Sequence, residues 1–278
     1  MKSQRLTVNG ITMGITIYGE PREHQPILVL LHGFTGCSLN WAQLCVQLKT
    51  PERCLIALDM LGHGQSDAPT DPARYSIEHC QDDILAALEM SGVQAGQAVL
   101  IGYSMGGRIA LYTAFSRFFR GLILESASPG LSDPTERAQR QQSDNALAER
   151  IEHEGIEKFL AFWEKLPLFA SQAMLPPETQ AALHAQRLNN RPMGLANSLR
   201  GVGTGMQPAL HQRLGKLNLP ILLLAGELDG KFSQIARQMA RQLPQARLYI
   251  VPASGHTVHL EQPDVFARQI HEFCQAVC

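Results

Sequence analysis

The sequence has almost no charge of one sign to spare. Its 24 Lys and Arg are set against 25 Asp and Glu in 278 residues, a formal net charge of -1. No global basic field exists to hold nucleic acid or an anionic membrane, so neither is expected as a partner. Long apolar runs are missing too. Stretches such as ILVLL at 27–31 are strand length, far short of a membrane span. The opening MKSQRLTVNG has no apolar signal core, and a cytoplasmic protein without membrane insertion is expected. Cysteine is sparse: six residues, at 37, 45, 54, 80, 274 and 278, none in a CxxC pair. A chain this long does not need disulfide staples. Cys274 and Cys278 lie four apart, a helix-packing interval, and with no His pair beside them no metal site is expected.

What remains is a chain that is 45% hydrophobic with a mean hydropathy of -0.09, enough for one large α/β core or two modest domains. The start alternates around Asn9-Gly10, a hairpin turn signal. Short apolar runs follow, each ending at a polar or glycine-rich turn: ILVLLHG, CLIALD, AVLIGYS, GLILESA, ILLLAG and ARLYIVP. Such near-continuous aliphatic runs suit parallel strands covered on both faces. Helical patterns separate them, as in SIEHCQDDILAALEMSG, where Ile77, Ile84, Leu85 and Leu88 form one stripe and Gly92 is placed to end the helix. A leading hairpin followed by alternating β and α predicts a mostly parallel, doubly wound sheet.

From Ser132 to Leu214 no strand pattern is found. This stretch is polar and helical in pattern, broken by prolines, with nine basic and nine acidic residues. It predicts a helical lid at 132–214, inserted between core segments 1–131 and 215–278 and set over the C-terminal strand ends where open sheets bind ligands. A helical appendage for oligomer contacts is the alternative.

Gly102-Tyr103-Ser104-Met105-Gly106 is a G-x-S-x-G turn with a strand before it and a helix after it. That turn lifts the serine hydroxyl off the sheet at a helix N-terminus, where developing negative charge is favoured. Alone it reads equally as a tight turn with a capping serine, but three further motifs follow the required order. His32-Gly33-Phe34 ends an early strand, and the Phe34 and Met105 amides are expected to form an oxyanion hole. Asp229 lies in the loop after LLLAG, and His256 follows the last strand. In that order His256 takes the Ser104 proton and Asp229 orients the imidazole. Glu227 competes for the acid role and His259 for the base role. His32 and His63 are expected to bond backbone and close their loops.

Together these motifs make the chain resemble the α/β-hydrolase superfamily over nearly its whole length. GYSMGGR at 102–108, ESASPGL at 125–131, ERAQRQQSD at 136–144, QRLNN at 186–190 and GELDGKF at 226–232 resemble, more narrowly, a lyase family of menaquinone biosynthesis. Several of these segments lie in the predicted lid. The resemblance implies an enzyme without cofactor, whose serine acts as a base while pyruvate is eliminated from a small polycarboxylate. It implies that Arg108, Arg140 and Arg187 bind carboxylates and that Tyr103, Trp163 and Lys231 line the pocket.

The residues support these roles unequally. Arg108 lies one helical turn after Ser104, and helical side chains tilt toward the N-terminus, so its head can approach the site. A buried guanidinium must meet either a protein acid or an anionic ligand. Arg140 and Arg187 would otherwise be solvated helix residues, Trp163 lid core, and Lys231 loop cover. A carboxylesterase, thioesterase or C–C bond hydrolase using Ser104 as nucleophile is the rival expectation. Oligomeric state is left open.

Overall fold

The computed structural model describes residues 1–21, 26–50 and 53–277. Eight strands form one sheet: β1 (Lys2–Val8), β2 (Ile11–Tyr18), β3 (Ile27–Leu31), β4 (Cys54–Leu58), β5 (Ala98–Tyr103), β6 (Gly121–Glu125), β7 (Ile221–Gly226) and β8 (Ala246–Val251). Their order is β1-β2-β4-β3-β5-β6-β7-β8. β1, β2 and β4 pair antiparallel, and every other pairing is parallel. The hairpin turns on Asn9 (φ 48°) and Gly10 (φ 80°), the two left-handed positions a tight turn between twisted strands requires. Each apolar run read from the sequence is a strand, and β3 and β4 are buried at all five residues because helices cover both faces.

Helices α1 (Ala42–Leu48), α2 (Ile77–Met90) and α3 (Met105–Thr113) pack around the first half of the sheet. α2 starts at Ser76, whose hydroxyl accepts the His79 N–H, and ends before Gly92 at φ 81°. Between β6 and β7 come α4 (Pro134–Trp163), α5 (Pro177–Leu188) and α6 (Pro192–Val202), each with proline at its first position, with no strand among the described residues. α4 bends at Gly155 (φ 79°). These helices share a small apolar cluster of their own, including Ile151, Phe159, Leu160 and Leu195, and Phe34 of the core packs against it. α7 (Gly230–Ala240), α8 (Val258–Glu261) and α9 (Pro263–Val277) complete the fold.

Two apolar clusters lie on opposite faces of the sheet, one against α2, α3 and α7 and the other against α1 and α9. Strand order reverses its direction of growth between β3 and β5, and the loops leaving their C-terminal ends diverge there to leave a crevice. His32-Gly33-Phe34 and Ser104 both stand at that point. No helix among the described residues is long and apolar enough to cross a membrane. Cys37, Cys45, Cys54 and Cys80 are free thiols, Cys274 is buried in the core, and Cys278 lies outside the described residues.

Candidate active site

Ser104 follows β5 and caps α3 with φ 51° and ψ −109°, a conformation a non-glycine residue adopts only under strain of about 1–3 kcal/mol. The surrounding turn holds it there. The Ser104 N–H donates to Glu125 O at 2.9 Å, across to the end of β6. A side chain at Gly106 would strike Leu31 O at 2.3 Å, and one at Gly102 would strike Gly106 O at 2.4 Å. Only glycine lets the helix start so close to the strands.

Ser104 Oγ lies 3.0 Å from His256 Nε2, and His256 Nδ1 lies 2.7 Å from Asp229 Oδ2. Asp229 caps α7, accepting the Phe232 N–H at 3.1 Å through its other oxygen, so helix and histidine hold its plane together. His256 and Asp229 are buried. The loop carrying His256 is tied by Glu261, which accepts the Gly255 N–H at 2.6 Å and the Thr257 N–H at 3.1 Å.

The competing side chains are engaged elsewhere. Glu227 accepts the Ala253 N–H at 3.2 Å. His259 is buried against Glu125 at 2.8 Å and stacks on Trp41 at 4.3 Å. His32 bonds Gly33 O at 2.8 Å through Nδ1 and accepts the Met60 N–H at 3.0 Å through Nε2, which fixes its tautomer. Burial lowers its pKa to about 4. His63 bonds Leu61 O at 3.1 Å, and burial first, then the neighbouring His32, lowers its pKa to about 3.

α3 begins at Met105, so the Met105 N–H has no partner within the helix. No turn or loop hydrogen bond engages the Phe34 or Met105 N–H among the described residues. Both residues line a cavity of about 350 Å³ above Ser104 and His256. Its walls come from core and inserted helices alike: Arg140, Leu147 and Trp163 of α4, Ser198, Leu199 and Val202 of α6, and Lys231 and Phe232 of α7. Among the described residues three permanent cations, Arg108, Arg140 and Lys231, line it, and no Asp or Glu does.

The structure separates the pocket residues expected from the sequence. Tyr103 lines the cavity while its hydroxyl lies 2.9 Å from Thr257 Oγ1; burial drives its pKa well above the ordinary phenol range. Trp163 packs edge-on against Phe34 at 5.3 Å, and its buried Nε1–H has no partner among the described residues. Arg140 reaches the cavity half-exposed while its Nε donates to Asp144 at 2.8 Å. Lys231 is exposed at the rim, over the Phe232 ring.

Arg187, the third arginine expected to bind a carboxylate, does not line this cavity but a small adjoining one, with Phe34 and Tyr103. It lies behind Phe169, 5.5 Å from that ring, and pairs with Glu164 at 2.9 Å and with Gln172 Oε1 at 3.2 Å. Its charge is met by a protein carboxylate from the neighbouring α4 end, a pairing that no local pattern in QRLNN signals.

Arg108 behaves differently. It is 8% exposed, and Nη1 donates to Val202 O at 3.0 Å and Gln207 Oε1 at 2.9 Å, both neutral. Desolvation, and secondarily Arg140, lowers its pKa to about 10. Gln207, Gln172 and Thr257 are polar residues of this region that the sequence does not single out. They sit in no recognisable motif, and contacts across tens of residues give them their roles.

A sheet of this order, a strained serine after β5, and an acid and histidine after β7 and β8 define a class of enzyme. A family model described as "alpha/beta hydrolase fold" matches residues 26–263, and the chain belongs to that family. Within it, the chain is similar to the 2-succinyl-6-hydroxy-2,4-cyclohexadiene-1-carboxylate synthase of Serratia proteamaculans (strain 568), 35% identical over 252 residues, covering 90% of this chain and 93% of that protein. A Bacillus subtilis (strain 168) protein, provisionally given the same name, is 42% identical over 252 residues, 90% of each. The solved structure of MenH from S. aureus superposes with a TM-score of 0.89 at 37% identity, covering 94% of this chain and 98% of that one. The chain is thus a member of the synthase family these relatives represent.

Proposed function

We propose that this protein eliminates pyruvate from 2-succinyl-5-enolpyruvyl-6-hydroxy-3-cyclohexene-1-carboxylate, forming 2-succinyl-6-hydroxy-2,4-cyclohexadiene-1-carboxylate in menaquinone biosynthesis. The family supports this lyase activity, and one observation about the site carries it further: among the described residues three permanent cations and no acid line the cavity above a hydrogen-bonded Ser-His-Asp set. A neutral ester would have no use for that charge, whereas a substrate with several carboxylates would.

On this reading Ser104 passes its hydroxyl proton to His256 Nε2, and Asp229 stabilises the imidazolium. The Ser104 oxygen then takes a ring proton. The electron pair of the broken C2–H bond forms the C2=C3 bond, the existing C3=C4 pair shifts to C4=C5, and the C5–O bond to the enolpyruvyl group breaks with its pair. The leaving enolate takes up a proton and becomes pyruvate. The Phe34 and Met105 amides receive the negative charge that develops on a conjugated carbonyl, in a site shaped for it beforehand. Arg108 and Arg140 hold carboxylates, Lys231 closes the rim, and Tyr103 and Trp163 form the wall. No acyl-enzyme forms and no cofactor takes part. The partner is a small polycarboxylate, and the cytoplasm is its place.

The assay supplies fresh enolpyruvyl precursor and follows pyruvate release together with the rise of the ring diene in the ultraviolet. Both should appear with the wild-type protein and vanish in Ser104→Ala. Efficient hydrolysis of p-nitrophenyl esters with no acceleration of pyruvate release would instead establish the hydrolase chemistry that the same serine can perform.

A further inference from the structure

Arg108 is buried one helical turn past Ser104, where its N–H donates to Ser104 O at 3.0 Å. Both of its side-chain hydrogen bonds use Nη1; Nε and Nη2 have no hydrogen-bond partner among the described residues. The acceptors are a backbone carbonyl, Val202 O, and a side-chain amide, Gln207 Oε1. The other charged groups felt by Arg108 are Arg140 and Asp144, which pair with each other at 2.8 Å and largely cancel. The cluster therefore keeps one positive charge without a counter-ion among the described residues. A buried guanidinium held only by neutral groups is an unfavourable arrangement for stability, and a carboxylate in place of either acceptor would relieve it.

Gln207 is the position where that carboxylate could stand. It is 1% exposed, lies in the segment that returns from α6 to β7, and its Nε2 has no partner among the described residues. We propose that Gln207 is a specificity-determining residue: it fixes the Arg108 guanidinium through a neutral acceptor, leaving its charge uncompensated for a substrate carboxylate. An amide orients the guanidinium as a carboxylate would, yet does not compete with an anion for it. This inference rests on the Ser104 cavity being the carboxylate-binding site proposed above.

Gln207→Glu and Gln207→Met separate this role from a structural one. Gln207→Glu keeps shape and acceptor but supplies the counter-ion internally. It should raise KM for pyruvate release by about 10- to 100-fold, the worth of a charge-assisted bond, while kcat stays within about threefold. The dissociation constant of succinate, used as a probe in calorimetric titration, should rise in parallel. Gln207→Met removes the acceptor but leaves Arg108 uncompensated, so KM should rise less than about fivefold. A residue with only a structural role gives the reverse ranking, with glutamate tolerated and methionine damaging, and that ranking overturns the proposal. Should Gln207→Glu not fold, a tenfold or larger KM increase in Gln207→Met overturns it by itself. If the wild type releases no pyruvate yet binds succinate, and Gln207→Glu does not, the lyase reading fails and the role of Gln207 stands. If the wild type binds neither, this inference falls.

Discussion

Two buried arginines of this protein solve the same electrostatic problem in opposite ways. Arg187 meets Glu164 and Gln172, whereas Arg108 meets a carbonyl and an amide. Their variants should diverge accordingly. Arg108→Ala should lower kcat/KM by about a hundredfold or more, with little change in urea-unfolding stability, because the lost group was serving an anion. Arg187→Ala should instead cost about 1–3 kcal/mol by stranding Glu164 and Gln172, with kcat/KM per folded molecule within about fivefold of wild type. Equal activity losses from both would show that Arg187 reaches the substrate after all. At this scale Ser104, Asp229 and His256 were legible in the sequence, because each sits in a short motif beside a strand end. Gln207 was not, since it meets Arg108 from 99 residues away along the chain.

The inserted helices are joined to the core by a short polar relay as well as by apolar packing. Gln172, in the 3₁₀ segment Pro167–Met174, donates to Thr257 Oγ1 at 2.8 Å, and the Tyr103 hydroxyl lies 2.9 Å from the same oxygen. Arg187 of α5 completes the relay through Gln172. Thr257 follows His256 and Tyr103 precedes Ser104, so the relay connects the inserted helices to both ends of the proposed proton path. Gln172→Ala should speed amide hydrogen exchange selectively across 167–188 and lower kcat by about three- to tenfold, as expected when a covering element opens more often. Unchanged exchange there would show that the apolar cluster of Ile151, Phe159 and Leu195 holds these helices unaided. The helical character of this segment was readable from its polar pattern and prolines. Its hold on the core was not, because Gln172 and Thr257 are 85 residues apart and neither belongs to a periodic pattern.

For the molecule as a whole, buried neutral histidines set a pH limit on stability. The His32 and His63 rings lie 5.0 Å apart, tilted by 56°, and both titrate below the ordinary histidine value of 6.5, at about 4 and about 3. The unfolded chain therefore takes up protons first as pH falls. Stability from this source is complete above pH 6.5 and declines as pH drops toward 4 and 3, by up to about 1.4 kcal/mol per pH unit for each histidine. Urea midpoints measured across that interval should fall on acidification, and His63→Asn should make the fall shallower. An unaltered slope in that variant would mean that carboxylates govern the acid limb alone.

The amino-acid order by itself determined the eight strands, the Asn9-Gly10 turn, the strained serine and the sequence of serine, acid and histidine. Each depends on signals within about ten residues: aliphatic runs, glycines at close approaches, polar loops at strand ends. Only the tertiary structure decided which arginine faces the cavity and which is neutralised. That outcome depends on what the inserted helices bring against each guanidinium, Glu164 to Arg187 and Gln207 to Arg108. Charge compensation at a buried group is set by neighbours in space, and the chain places those neighbours 23 and 99 residues away.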